Sequence, residues 1–514
     1  MHQTVPEFFR PGGPTAQTKF PMSSEKGNRR MAITCIRYLL LCCANTSLAD
    51  RLPEIQLWTT EHFEAYVDYL HQRPFIVYAL NYLEKHMQKC GEDMHISGLH
   101  AQLRGELSNL NNPFSYIFGS CFPHTKSRGV TANERHNSDN AKEILGLLLL
   151  TAVRSQYSQV VEALLVAGAE VETRQGGKTM LMVAAESGDH ATVWVLLDHS
   201  VSLRETDGNK QTALHLAASN GHKAVVGLLI DRGAGKEAED KKRRRALHLA
   251  AANGHAAVVE LLIDRGADKE AEDEGKWRAL HLAAANGHVA VVELLIDRGV
   301  YMEAEDERKG RALHLSAANG HAAAVELLID RGADKEAEAR DQQRALHLAA
   351  ANGHDDVIEL LVGRGADKEA KDVFEWHALH IAAWKGHVGT IRMLAQSLGV
   401  KKEAKDSQGW TALHIAGISG QGTAIQVLVE DLGANIGAKD NSGWTVLHLV
   451  AALGLKNMTR LLAETLKMDK NAWNMKGQTA LKLAQKRYVV GTQFCETSME
   501  ELYANQGSPD SSCV

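Results

Sequence analysis

Twenty-five histidines stand in a chain of 514 residues, enough to supply metal ligands or general bases several times over. Their spacing decides what chemistry they can do. Eight occupy one position of a recurring motif, at His215, His248, His281, His314, His347, His380, His414 and His448. Six more follow a glycine, at His222, His255, His288, His321, His354 and His387. A catalytic histidine is needed once, in a unique setting whose partners shift its pKa. A histidine used at every step of a pattern is structural.

Other chemical motifs fall away on similar grounds. Gly176-Gly177-Lys178-Thr179 has the ending of a phosphate-binding loop, but Glu172 stands where that loop needs its first glycine, so no nucleotide site is expected. There is no H-E-x-x-H and no G-x-S-x-G, and no lone cysteine is paired with a histidine in a nucleophile pattern. The cysteines are Cys35, Cys42, Cys43, Cys90, Cys121, Cys495 and Cys513. They are odd in number and without C-x-x-C pairs, so neither a disulfide framework nor a zinc site is implied and reduced thiols are expected. No catalytic residue, cofactor or metal is assigned. The basic run Lys241-Lys242-Arg243-Arg244-Arg245 is a candidate anion or import patch. It follows Glu237-Ala238-Glu239-Asp240, so local neutralisation is expected instead.

The elements that position these residues come from a period. Thr212-Ala213-Leu214-His215 recurs as Arg245-Ala246-Leu247-His248, Arg278-Ala279-Leu280-His281, Arg311-Ala312-Leu313-His314 and Arg344-Ala345-Leu346-His347, a step of 33 residues. It continues at His377, then at Thr411, Thr445 and Thr479 with a step of 34. A fixed period of this length means stacked units. Within one unit, Ala246 to Asn253 reads as a short helix stopped by Gly254. Val258, Val259, Leu261, Leu262 and Ile263 form the apolar stripe of a second helix closed by Gly266, and a charged turn leads to the next motif. Such a pair cannot bury its own apolar face, so units must stack.

On those residues the chain resembles the ankyrin repeat, whose hallmark is Thr-Pro-Leu-His at the first helix. Leu and His are kept from His215 to His448, while Ala or Val replaces Pro. The family's glycine two residues before the Thr survives as Gly177, Gly409, Gly443 and Gly477. It is Arg243, Lys276, Lys309, Gln342 and Glu375 in the middle repeats, which predicts left-handed non-glycine residues at some cost and less regular finger tips there. The resemblance implies an all-α repeat fold, an ankyrin solenoid of helix-turn-helix units with protruding β-turn fingers, preceded by a small helical region. A right-handed stack of about eleven units, counting both caps, is expected over 141–505.

The segments outside the array are expected to be a disordered 1–30, a helical 31–112, a polar linker 113–140 and a disordered 506–514. In the helical region, Phe63, Tyr66, Val67 and Leu70 share one face of a helix starting near Thr60. The run Arg73 to Leu83 with His86 resembles the segment before the ankyrin array in fungal NLR-like NACHT–ankyrin proteins. That likeness implies an alternative role, the ligand-sensing C-terminal part of such a receptor, whose upstream NTPase domains this chain would lack. With a net charge of −6 and a pI near 6.5, no general pull toward nucleic acid or anionic membrane is expected. The apolar runs are too short to span a bilayer. An intracellular protein is expected, with the cytoplasm favoured over the nucleus.

The residue before each motif is variable: Gln211, Arg244, Trp277, Gly310, Gln343, Trp376, Trp410, Trp444 and Gln478. In ankyrin proteins this finger residue belongs to the partner-facing surface, and the resemblance carries that role onto Trp277, Trp376, Trp410 and Trp444. Trp384 joins them where neighbouring units have Ala252, Ala285, Ala318 and Ala351. These indoles either face solvent as anchors for a protein partner or pack on the adjacent finger. The expected function is a non-enzymatic scaffold for an unidentified protein partner.

Overall fold

Each step of the period folds as a pair of short antiparallel helices because its apolar residues are spaced for one buried stripe and its glycines stop the chain after seven to nine residues. The computed structural model describes residues 145–166, 169–171 and 174–487, together with Glu64, Ala65, Val67, Asp68 and Leu70. The segments 1–30, 113–140 and 506–514, the run resembling the NLR-like proteins, and all but those five residues of 31–112 lie outside the described residues. The five are helical; Val67 and Leu70 are buried, and the Tyr157 hydroxyl donates to Asp68 at 2.8 Å.

The chain divides into two compact units, one of residues 1–250 with 261–267 and one of 251–260 with 268–514. The first opens with helical residues 145–154 and Ser158–Val166, which bury Leu148, Leu149, Val160 and Leu164. Gly176 and Gly177, at φ of 56° and 83°, turn a hairpin between Arg174–Gln175 and Lys178–Thr179. Lys178 there pairs with Glu186 at 2.7 Å, and Thr179 caps the helix Met180–Ser187 by accepting from the Met182 N–H. The glycines that resemble a phosphate loop are therefore a hairpin turn.

The second unit carries the first helices Ala279–Ala285, Ala312–Ala318, Ala345–Asn352, Ala378–Lys385, Ala412–Ile418, Val446–Leu453 and Ala480–Arg487. Most of their alanines, such as Ala283, Ala284, Ala349 and Ala350, are buried and let neighbouring helices approach closely, while Leu280, Leu313, Leu346, Leu379, Leu413 and Leu447 fill the space beneath. Successive fingers are joined by one backbone hydrogen bond each, as from Arg340 N–H to the Arg308 carbonyl and from Ser407 N–H to Phe374.

Arg243, Lys276, Lys309, Gln342 and Glu375 adopt φ of 57° to 60°, the left-handed conformation expected of them. The tips are more regular than expected, because an aspartate holds most of them: Asp306 Oδ1 accepts from the Arg308 and Gly310 N–H groups. The finger with Ala339 at that position departs, placing both Asp341 and Gln342 at φ of 58°. Without a carboxylate to gather the amides, the turn must be made by the backbone.

The step from 33 to 34 residues is absorbed in the second helix. Units of 33 end it with ordinary turns, as in Asp355–Gly363. Units of 34 convert its last turn to π-helix at Met393–Ser397, Val427–Asp431 and Leu461–Thr465, with Leu398 N–H bonding the Met393 carbonyl.

Candidate functional site

In most fingers an aspartate at the base fixes the residue that enters the first helix. Asp372 Oδ1 accepts from the Phe374 and Trp376 N–H groups at 2.8 and 2.9 Å, and Asp406 and Asp440 hold Trp410 and Trp444 in the same way. An indole at this point has one place to go, onto the first helices beside it. Trp376 lies with Ile381 and Ile415 in a buried cluster, and Ala351, Phe374, Trp384, Trp410 and Ile418 pack against it. The Trp376 and Trp384 rings meet edge-on at 6.1 Å between centroids, and Phe374 lies 6.5 Å from Trp376.

A buried indole N–H needs an acceptor, and the next finger supplies it. Trp376 Nε1 donates to Asp406 Oδ2 at 3.0 Å, and Trp410 Nε1 to Asp440 Oδ2 at 3.2 Å. One carboxylate oxygen shapes its own finger while the other holds the preceding indole. Asp372 lacks the second half: its Oδ2 is buried without a hydrogen-bond partner. Burial pushes its carboxyl up to about 6, against the pull of the Trp376 and Phe374 amides and with Asp341 and Asp406 adding to the rise.

The candidate indoles therefore divide between the two alternatives. Trp376 is a correction, since it is 3% exposed and packs under the next finger. Trp384 and Trp410 are half-buried members of the same cluster. Trp444 is half-buried beside His448, with ring centroids 6.3 Å apart, and Trp277 is half-buried; neither joins the cluster. Phe374 and Ile418, partly buried, and Ile381 and Ile415, buried beneath, belong to the same cluster and were not anticipated. Aligning finger positions carries the missing signal, because Phe374 stands where other units have Lys242, Gly275, Arg308 and Asp341. Lys385 adjoins it: its Nζ lies 4.1 Å from the centroid of the Trp384 ring.

The basic run sits on one finger of the first unit and is answered locally. Arg243 pairs with Glu239 at 3.5 Å, Arg244 with Asp240 at 3.0 Å, and Arg245 with Glu237 and, at 3.7 Å, with Glu239. Lys241 and Lys242 are exposed at its tip.

The motif histidines act as struts. In His281, Nδ1 accepts from the Arg278 N–H at 3.0 Å and Nε2 donates to the Ala304 carbonyl at 2.9 Å, and His314 and His347 repeat this. Accepting at one nitrogen and donating at the other requires the neutral ring. Burial accordingly lowers their pKa values, to about 4 in His347 and about 3 in His380. The second histidine set spans units: His288 Nε2 reaches the Ala252 carbonyl at 2.8 Å. Its ring lies so close to Gly254, at φ 76°, that a side chain there would meet it at 2.6 Å. Among the described residues, no group of His, Cys, Asp or Glu is placed to hold a metal ion. No helix there is long and apolar enough to cross a membrane.

Comparison with known proteins places these observations. The family model for ankyrin repeats matches at 149–240, 233–306, 280–372 and 346–440, more than half of the chain in all. Among solved structures, the human ASB11 ankyrin repeat domain is similar with 26% identity and a TM-score of 0.39, covering 42% of this chain and 97% of that one. Among curated proteins no match is found.

Proposed function

Because the chain belongs to the ankyrin-repeat family, we propose that it is a protein-recognition module whose fingers and first helices within 374–444 take up a protein partner without a catalytic step. Ankyrin arrays generally serve protein–protein interaction through such surfaces. The observation that carries the proposal is the aromatic cluster itself. Phe374, Trp376, Trp384 and Trp410 converge on one stretch of first helices, with Phe374 and Trp384 standing where the preceding units have polar residues or glycine and alanine. Trp384 and Trp410 are the anchors, half-buried so that a partner completes their desolvation, and Trp376 is the floor that orients them. Trp444 and Trp277 flank this surface in sequence and are secondary contacts. The basic finger has no part in it, since its three arginines are paired within the finger.

Site-specific photo-crosslinking of the full chain tests the proposal. Benzoylphenylalanine in place of Val373, 50% exposed on the finger beside Phe374, should yield a discrete protein adduct in cells. The same probe in place of Glu430, exposed on a second helix, should not. Equal labelling from both positions, or none from Val373, would place recognition elsewhere.

A further inference from the structure

Four units end their first helix with the same pair, Ala252-Asn253, Ala285-Asn286, Ala318-Asn319 and Ala351-Asn352, and the next has Trp384-Lys385. The asparagines bond helix carbonyls: Asn286 donates to Leu282 at 2.9 Å and Asn352 to Leu348 at 3.2 Å within their own helices, and Asn319 to Ala285 of the preceding unit at 2.9 Å. At the equivalent position beyond Lys385, the Ser419 hydroxyl likewise returns to the Ile415 carbonyl at 2.7 Å. Lys385 turns to the indole beside it instead. Its ammonium lies over the Trp384 face, and burial alone lowers its pKa, with no acid in the described residues countering the shift.

The carboxylates of the neighbouring fingers are committed. Glu375 pairs with Lys371 at 2.8 Å, Asp406 and Asp440 hold the indoles of Trp376 and Trp410, and Asp372 is buried. The aromatic surface thus ends in an exposed ammonium over the Trp384 ring with no acid paired to it among the described residues. Building on the recognition role proposed above, we infer that Trp384 and Lys385 form a subsite for a partner segment that sets an apolar side chain beside a carboxylate. The apolar side chain covers the solvent-exposed part of the half-buried Trp384 ring and Ile418. The carboxylate takes the outer side of the Lys385 ammonium, opposite the ring, where exclusion of water by the neighbouring apolar contact strengthens the pair. A single ammonium without a guanidinium fork suits a carboxylate better than a phosphate, which draws on several donors.

The probe is a random peptide library displayed on phage and selected on the full-length protein. Wild type should enrich peptides with Asp or Glu within two residues of Leu, Ile, Phe or Trp. Synthetic copies of the enriched peptide should lose about tenfold or more in affinity on Lys385→Glu and on Trp384→Ala, by fluorescence anisotropy. The same peptide with its acid changed to Lys should recover binding on Lys385→Glu. Lys385→Met, which keeps the alkyl stem, separates loss of charge from loss of packing, and urea unfolding checks that each variant is folded. An acid-free consensus, or unchanged affinity on Lys385→Glu, would overturn the subsite while leaving recognition by another surface standing. A library that yields nothing above background on wild type would sink both. Self-association of wild type that Trp384→Ala abolishes would make a second copy the occupant and overturn the inference.

Discussion

The units that begin at Arg278, Arg311 and Arg344 and those that begin at His377, Thr411 and Thr445 share one backbone plan and hold their fingers by different forces. In the first group the arginine reaches back to two glutamates. Arg278 meets Glu270 at 2.6 Å and Glu272 at 3.0 Å, and Arg311 meets Glu303 at 2.5 Å and Glu305 at 3.3 Å. A second ladder runs along the other helices, with Arg298 to Glu260 at 3.0 Å and Arg331 to Glu293 at 2.8 Å. In the second group a hydroxyl replaces the arginine at Thr411 and Thr445, each 2.8 to 2.9 Å from its motif histidine, and indole–aspartate bonds tie neighbouring fingers. The arginine units satisfy their charges among themselves and offer a partner little. The aromatic units leave half-buried rings, the feature on which the proposed recognition surface rests.

Removing Trp376 is the strongest way to break the aromatic side of this comparison. Trp376→Ala deletes a buried ring and leaves Asp406 Oδ2 without its donor. A loss of roughly 3–5 kcal/mol is expected in urea unfolding monitored by circular dichroism. A cost under about 1 kcal/mol would show that the indole is a surface residue after all.

Acidification probes a device that both groups share. His347 in an arginine unit and His380 in an aromatic one are neutral when folded, with pKa values lowered to about 4 and about 3 by burial. The unfolded chain then binds more protons between the ordinary value of 6.5 and the folded one. Stability is full above pH 6.5 and falls as the pH drops through that window, by about 1.4 kcal/mol per pH unit for each ring. At pH 5 each costs roughly 2 kcal/mol, and urea midpoints at pH 7 and 5 measure the sum. Replacing both by asparagine should make the profile shallower, leaving the part carried by the other buried motif histidines such as His281 and His314.

Asp372 has the opposite sign. Its folded carboxyl is raised to about 6, so its penalty is absent below the usual carboxylate range and complete above pH 6. Asn474 shows the remedy in the last finger, where its Oδ1 accepts from the Lys476 and Gln478 amides and its Nδ2 donates to the Gln478 side chain. Asp372→Asn should raise stability at pH 7 by about 1 kcal/mol and by nothing at pH 4, a difference readable from thermal melts. The smallest effect is expected in the arginine units. Arg311→Ala removes two partly exposed ion pairs and one buried guanidinium nitrogen that has no partner, and should cost about 0.5–1 kcal/mol or less, declining with added salt.

The repeat, its helices and the structural role of the histidines were legible because each rests on local spacing: Leu280 and His281 recur with the period, and Gly254 ends a helix wherever its equivalent appears. The left-handed residues at Arg243 and Glu375 were legible by register alone. The orientation of the indoles was not. Whether Trp376 faces water depends on Asp406 in the next unit, some thirty residues away, and on Ile381 and Ile415 beneath it. Lys385 was overlooked for the converse reason, since its interest lies in the acids that are not available to it. The placement of the extra residue in 34-residue units was equally hidden, because sequence shows the longer step without showing which element stretches.

That stretching has a consequence for how such an array can vary. Along the chain, fingers are joined by the same backbone bond whether the step is 33, as from Val373 N–H to Asp341, or 34, as from Asn441 N–H to Gln408. The added residue is confined to a widened turn at Met393–Ser397 or Val427–Asp431, away from the fingers. Length changes are thereby quarantined in the second helix, and a one-residue insertion there is silent at the surface a partner would touch.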